Sequence, residues 1–211
     1  MIFAEQAVEG QLLVDDDLVR DGASVDRFER YEVGHAERIA ELADKLAIRF
    51  CIALRDRLML KRAAYFHDFG EYSMNRAYIS SPRELTEAER LDLYRHPVIG
   101  EQQASKREFP RAVQLLVRWH HEWWNGSGYP DKISGNGIPL GARILRACDT
   151  YSALTSDRPF RKAFSYEEAD RYLLESAGIE FDPEVAAALL ALPERIQANA
   201  VEGSREAEDT Q

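Results

Sequence analysis

Five stretches of this chain open with residues suited to a helix start, and almost none alternates apolar and polar residues as a half-buried strand would. Thr86-x-x-Glu89 and Ser165-x-x-Glu168 have the capping-box form, in which a hydroxyl and a carboxylate each accept a backbone N–H of the first turn. Pro110 and Pro139 precede apolar-rich runs, where a fixed φ and a missing N–H suit a first turn. Asp182-Pro183 opens the last run in the same way. From Ser24 to Ile48, Val33, Ile39, Leu42, Ala43 and Leu46 recur at helical spacing. "RDRLMLKRAAYFHDFG" reads as a further helix closed by Gly70. Pro97 is expected to bend or interrupt the helix opened at Thr86, just after His96. Together these patterns predict an all-α bundle of about six to eight helices.

A length of 211 residues fits one domain. The expected division is a short arm over residues 1–24, the domain over 25–196 and a flexible polar tail over 197–211. The first 22 residues lack the basic start and apolar run of a signal peptide. No segment approaches the ~20 apolar residues of a membrane span, so no membrane partner is expected. Two cysteines, Cys51 and Cys148, form no framework, which points to a reduced, cytoplasmic setting. A formal net charge of −10 argues against a nucleic-acid polymer as partner. It leaves room for a small anion, because metal ions or a local basic cluster can supply positive charge.

The five histidines, His35, His67, His96, His120 and His121, each fall within or at the end of a predicted helix. Any one of them alone reads as structural. Their neighbours change that reading. His67 precedes Asp68, and adjacent residues on a helix diverge by ~100°, so a carboxylate shared between two metal ions suits the pair better than one ion held by both. Asp149 follows the apolar "ILRAC", where an unpaired carboxylate is costly and a cation is wanted. A salt bridge would also satisfy it.

The order His35, His67-Asp68, His96, His120-His121, Asp149, with "NGSGYP" after the double histidine, resembles the HD-GYP family of bacterial hydrolases of cyclic dinucleotides, within the HD phosphohydrolases. The resemblance runs from about Tyr31 to about Leu192 and takes in "RHP", "IPLGARIL", "CDTYSALTSDRPFRKA" and "FDPEV". It implies an HD-domain helical bundle with a dinuclear metal centre between helices. His35, His67, Asp68 and Asp149 would hold one ion, His96, His120 and His121 the other, and Asp68 would bridge them. Mixed imidazole and carboxylate donors suit Fe or Mn, and also Zn or Ni. Two such ions ~3.5–4 Å apart trap a water and lower its pKa from ~16 towards ~7, giving a hydroxide that attacks a phosphodiester. The implied activity is hydrolysis of cyclic di-GMP to pGpG, with GMP as the alternative end product. The loop Gly128-Tyr129-Pro130 would lie at the site, with Tyr129 against the substrate, and would also meet a signalling protein partner. In "SDRPFRKAF", Arg158, Arg161 and Lys162 would hold substrate phosphate, although a solvated turn explains them equally well as residues. Trp119 and Trp123 read as core, and Trp124 as a candidate for stacking on a guanine.

Two departures qualify the resemblance. The family continues its HD pair as HD-x-G-K, and here Glu71 stands in place of the lysine. Glu71 is therefore expected to act in catalysis, as a brake on phosphate binding or as an aid to His67 or a metal. Three-metal members carry a Glu four residues before the first His, where this chain has Tyr31; Glu32 and Glu29 are out of that register. Two metals are expected. Glu71 also keeps open a second class of function, a weakly active or inactive module that binds a cyclic dinucleotide or a protein partner. A related substrate such as cyclic GMP-AMP is a third possibility.

Overall fold

The computed structural model describes residues 14–31, 34–157 and 161–193. Val33, Glu32, Arg158 and the expected tail lie outside the described residues. The fold is all-α, with no strand among the described residues. Among the described residues ten α-helices follow one another: α1 (Asp16–Glu29), α2 (His35–Arg49), α3 (Leu54–Phe66), α4 (Phe69–Met74), α5 (Glu87–Leu93), α6 (His96–Lys106), α7 (Arg111–Trp119), α8 (Leu140–Leu154), α9 (Tyr166–Glu175) and α10 (Pro183–Leu190). Eight of them are at least eight residues long, and α4 and α5 are single short pieces.

The start signals act as their chemistry dictates. The Thr86 hydroxyl accepts the Glu89 N–H while the Glu89 carboxylate accepts the Thr86 N–H at 2.9 Å, and Ser165 with Glu168 repeats the device on α9. Pro110 and Pro139 sit one residue ahead of α7 and α8, and Asp182 caps α10 with Pro183 at its first position. Pro97 falls in the first turn of α6, so the expected interruption lies immediately before His96 rather than after it. α2 carries the predicted stripe: Ile39, Leu42, Ala43 and Leu46 are all at most 1% exposed. That stripe packs on α3 and α8 in the centre of the core, and α6 packs on α4 and α7 beside it.

Two expected helices are each broken in two. The run from Ser24 to Ile48 ends α1 at Glu29, because Arg30 takes a left-handed conformation (φ 63°) and turns its N–H back to Arg27 and Asp26. The buried Asp26 carboxylate then accepts the Ala36 N–H at 3.2 Å and opens α2. The helix begins at Asp16, inside the stretch expected as an arm, and Leu18 and Val25 fix it to the core. The second break falls at His67-Asp68. Gly70 does not close that helix; it lies inside α4.

Candidate metal centre

Three histidines sit at helix ends and are oriented by one device. His67 follows α3, His96 stands three residues beyond α5, and His120 follows α7. In each, Nδ1 lies 2.6–2.8 Å from the carbonyl three residues back, that of Ala64, Leu93 or Val117. A carbonyl only accepts, so Nδ1 carries a proton, and in the neutral ring the lone pair is left on Nε2. Helix-end carbonyls lack intrahelical donors, which is why a histidine can take one without opening the ladder. Such an N–H···O=C contact is the usual support of a metal-ligating imidazole. His35 opens α2 with Nδ1 2.9 Å from the Ser152 hydroxyl, and Tyr31 stacks on its ring at 3.7 Å between centroids.

The Nε2 atoms converge on two carboxylates. The donors fall into two groups, His35, His67 and Asp149, and Asp68, His96, His120 and His121, each with its atoms within 4.8 Å of one another. Asp68 divides its oxygens between them. Oδ2 is 3.0 Å from His67 Nε2, whereas Oδ1 is 3.2 Å from His96 Nε2 and 3.3 Å from His120 Nε2. Asp149 Oδ1 lies 3.5 Å from His35 Nε2 and 3.7 Å from His67 Nε2. His35 Nε2, His67 Nε2 and Asp68 Oδ1 are buried with no hydrogen-bond partner. His96 Nε2 and His120 Nε2 face each other at 3.3 Å, and with both protons on Nδ1 these are two lone pairs that repel unless a proton or metal ion stands between them. Orphaned buried donors of this kind fit divalent cations, and all seven residues expected as ligands meet here.

Electrostatics point the same way. Burial disfavours charge on His67, yet Asp68 and Asp149 outweigh it and raise the imidazole well above its usual range. Burial likewise opposes charge on Asp68 and Asp149, and the facing histidines outweigh it and hold both carboxyls well below theirs. The pocket therefore favours positive charge between ionised carboxylates. His120 and His121 are pushed down, chiefly by burial, and His121 also by His120 and Arg146. Neutral imidazoles are what a metal binds.

The two adjacent pairs reach one cavity because they lie beyond their helices. The ~100° divergence holds within a helix, and both His67-Asp68 and His120-His121 occupy the turns that follow α3 and α7. Close packing then sets the spacing. A Cβ on Gly70 would lie 2.0 Å from the His96 carbonyl oxygen, so only glycine lets α4 touch the start of α6 and bring Asp68 against His96. A Cβ on Gly128 would lie 2.2 Å from Trp123 N and 2.5 Å from the His121 carbonyl, which presses the loop onto the double-histidine turn. Tyr129 consequently stacks on both His121 and Tyr94, at 4.8 and 4.1 Å between centroids.

A cleft of about 540 Å³ opens over the centre, lined among others by Tyr31, Asp68, Glu71, His121, Arg146, Asp149, Arg161 and Phe164. Glu71 is buried on its wall, 3.7 Å from His96 Nδ1; burial, then the Asp68 charge, raises its carboxyl well above the ordinary value. Arg161 reaches the cleft but donates to the carbonyls of Ala153, Leu154 and Lys162, closing the end of α8. Lys162 is absent from the cleft lining; its side chain is 92% exposed and pairs with Asp157. Arg158 lies outside the described residues. Trp124 is absent from the cleft lining and has Arg143 over its ring. Arg146, Ser152 and Glu180 were not singled out from the sequence. The available signal was spacing: Arg146 and Ser152 each lie three residues from Asp149 on α8.

The HD domain family model matches residues 27–185. The chain is 34% identical over 168 residues to 3′3′-cGAMP-specific phosphodiesterase 3 of Vibrio cholerae, covering 80% of this chain and 36% of that protein. It is 35% identical over 156 residues to the cyclic di-GMP phosphodiesterase response regulator RpfG of Xanthomonas campestris, covering 73% and 41%. The chain thus spans some two fifths or less of these relatives. A crystal structure of a cyclic GMP-AMP-specific phosphodiesterase from V. cholerae superimposes with a TM-score of 0.69 at 20% identity, covering 90% of this chain and 51% of that one.

Proposed function

The chain belongs to the HD domain family, in its HD-GYP type, and from that premise we propose that it is a metal-dependent phosphodiesterase of cyclic dinucleotides, acting on cyclic di-GMP to give pGpG and then GMP. The observation that carries this reading is the division of the Asp68 oxygens between two groups of converging nitrogens. His35, His67 and Asp149 would hold one ion, His96, His120 and His121 the other, and Asp68 both. Fe or Mn suits these donors, with Zn or Ni as alternatives. Tyr31 stacked on His35, where three-metal relatives place a glutamate, supports two ions rather than three.

When bound, two such ions supply an acidified water and neutralise phosphate charge. The protein's own part is orientation. Helix-end carbonyls lock the rings of His67, His96 and His120, so that their lone pairs need no reorganisation when substrate enters. Tyr129 walls one side of the double-histidine turn, and Arg158 would meet phosphate, whereas Arg161 caps the end of α8. A signalling partner would meet the loop at the exposed Asn125 and Ser127.

Glu71, buried on the cleft wall, favours a second reading, a binding module with little turnover. Protein purified anaerobically or loaded with Mn should contain two metals per chain, and chromatography of digests should show cyclic di-GMP, or cyclic GMP-AMP, converted to the linear dinucleotide. Tight binding without cleavage would select the module. Loaded protein that neither binds nor cuts either nucleotide would overturn both readings.

A further inference from the structure

Among the described residues five carboxylates line the cleft, Glu29, Asp68, Glu71, Glu84 and Asp149, against three guanidinium groups, Arg83, Arg146 and Arg161. A cyclic dinucleotide brings two further negative charges, so the free donors of those three arginines matter. Arg83 is committed to Glu89 through two bonds of 2.8 and 2.6 Å. Arg161 is committed to helix-end carbonyls. Arg146 differs. Its Nη2 donates to Glu180, which also accepts from the Tyr172 hydroxyl at 3.0 Å. Its Nη1 points the other way, 3.0 Å from His121 Nδ1 and 3.6 Å from Asp149 Oδ2. Its Nε is buried with no hydrogen-bond partner.

We propose that Arg146 is a substrate-binding residue that grips a phosphate oxygen of the cyclic dinucleotide beside the metal centre, in a chain whose Glu71 occupies the place of the family's lysine. The inference rests on the phosphodiesterase reading above. The side chain is built for such a role. One end is fixed by Glu180, whose backbone carbonyl accepts the Trp124 N–H and so ties the anchor to the loop after the double histidine. The other end carries a donor aimed at two expected metal ligands, where the scissile phosphate must lie. Its present acceptor is a neutral ring nitrogen, and an anionic phosphate oxygen is the stronger acceptor. A purely structural ion pair with Glu180 would use Nη2 and would not require Nη1 at the centre.

Removing Arg146 alone would strand the buried Glu180, so the test uses a neutral pair. Glu180→Gln is compared with Arg146→Gln/Glu180→Gln, both purified with their metals. Binding of a phosphorothioate analogue of cyclic di-GMP is measured by calorimetry, with metal content and thermal melting alongside. Glu180→Gln sets the baseline, since its amide oxygen still accepts from Arg146 Nη2 and Arg146 is the one further difference between the two variants. The double variant should bind roughly 10- to 100-fold more weakly, the loss of one charge-assisted contact, with unchanged metal content. Equal affinity in the two variants overturns the proposal. Loss of metal in the double variant overturns it too, since Arg146 would then position His121 instead. If the unmodified protein binds no analogue, the phosphodiesterase reading fails and takes the proposal with it.

Discussion

The two paired turns, His67-Asp68 and His120-His121, start alike and finish differently. Both follow a helix, and in both the first histidine gives its Nδ1 proton to the carbonyl three residues back. The second members diverge. Asp68 is 8% exposed and surrounded by imidazoles on both of its oxygens. His121 is less buried, bonded to Arg146 and stacked on Tyr129. On the proposed reading the first turn serves chiefly the metal centre, and the second also forms part of the substrate wall. Damage to the first should therefore cost metal, and damage to the second should divide between metal and nucleotide.

The sharpest test of that division is Asp68→Ala. Both donor groups use this carboxylate, so the variant should lose both metals and all hydrolysis, measured by elemental analysis and digest chromatography. Full metal content in it would remove the dinuclear centre. Gly70→Ala comes next. The added carbon cannot share space with the His96 carbonyl, so α4 must shift from α6. Overpacking of this kind costs about 1–3 kcal/mol, a fall in melting temperature of roughly 2–10 °C for a chain of this size. Metal should fall towards one ion per chain, because His96 is drawn away from Asp68. A variant that melts and binds metal normally would show that the contact can relax.

Smaller still is the contrast between His120→Ala and His121→Ala. The former should weaken metal binding roughly 100-fold or more in chelator competition. The latter should lose about tenfold in metal affinity and a comparable factor in nucleotide affinity. Equal metal losses with no effect on nucleotide would break the asymmetry between the turns.

The seven expected donors could be placed because their order along the chain resembles that of a known family, and all seven do meet. Helix starts were legible for a local reason: a capping box or a proline acts within one turn. Helix ends were not. The run from Ser24 to Ile48 keeps its apolar period across a break set by Arg30 and by the Asp26 side chain, which accepts an N–H ten residues further on. Gly70 looked like a stop because glycine often is one, and its real task, contact with His96, depends on a residue 26 positions away. The substrate wall was the least legible part. Basic residues in "SDRPFRKAF" share one composition whether they face a phosphate, as proposed for Arg158, or cap a helix, as Arg161 does. Arg146 reads as an ordinary helical arginine until Glu180 and His121 are brought to its two ends.

Glu71→Lys carries the smallest expected effect and bears on the border between the two regions. Glu71 stands on α4, the helix of the Asp68 turn, but faces the cleft near His96. The exchange alters local charge by two units where Glu71 is ionised and by one where its raised carboxyl holds a proton. At ~5 Å and an effective dielectric of ~20, each unit corresponds to roughly 3 kcal/mol before screening. Metal ions and Arg146 already offset much of the repulsion that a phosphodiester would meet, so kcat/KM for cyclic di-GMP should rise only about tenfold, about 1.4 kcal/mol, at unchanged metal content. The gain should be larger in the Arg146→Gln/Glu180→Gln background, where the new ammonium would be the nearer cation. Loss of metal in Glu71→Lys would make Glu71 a donor or a support of His96 and place it with the Asp68 turn. No change in either activity or metal would make it a bystander, and slow turnover would need another cause.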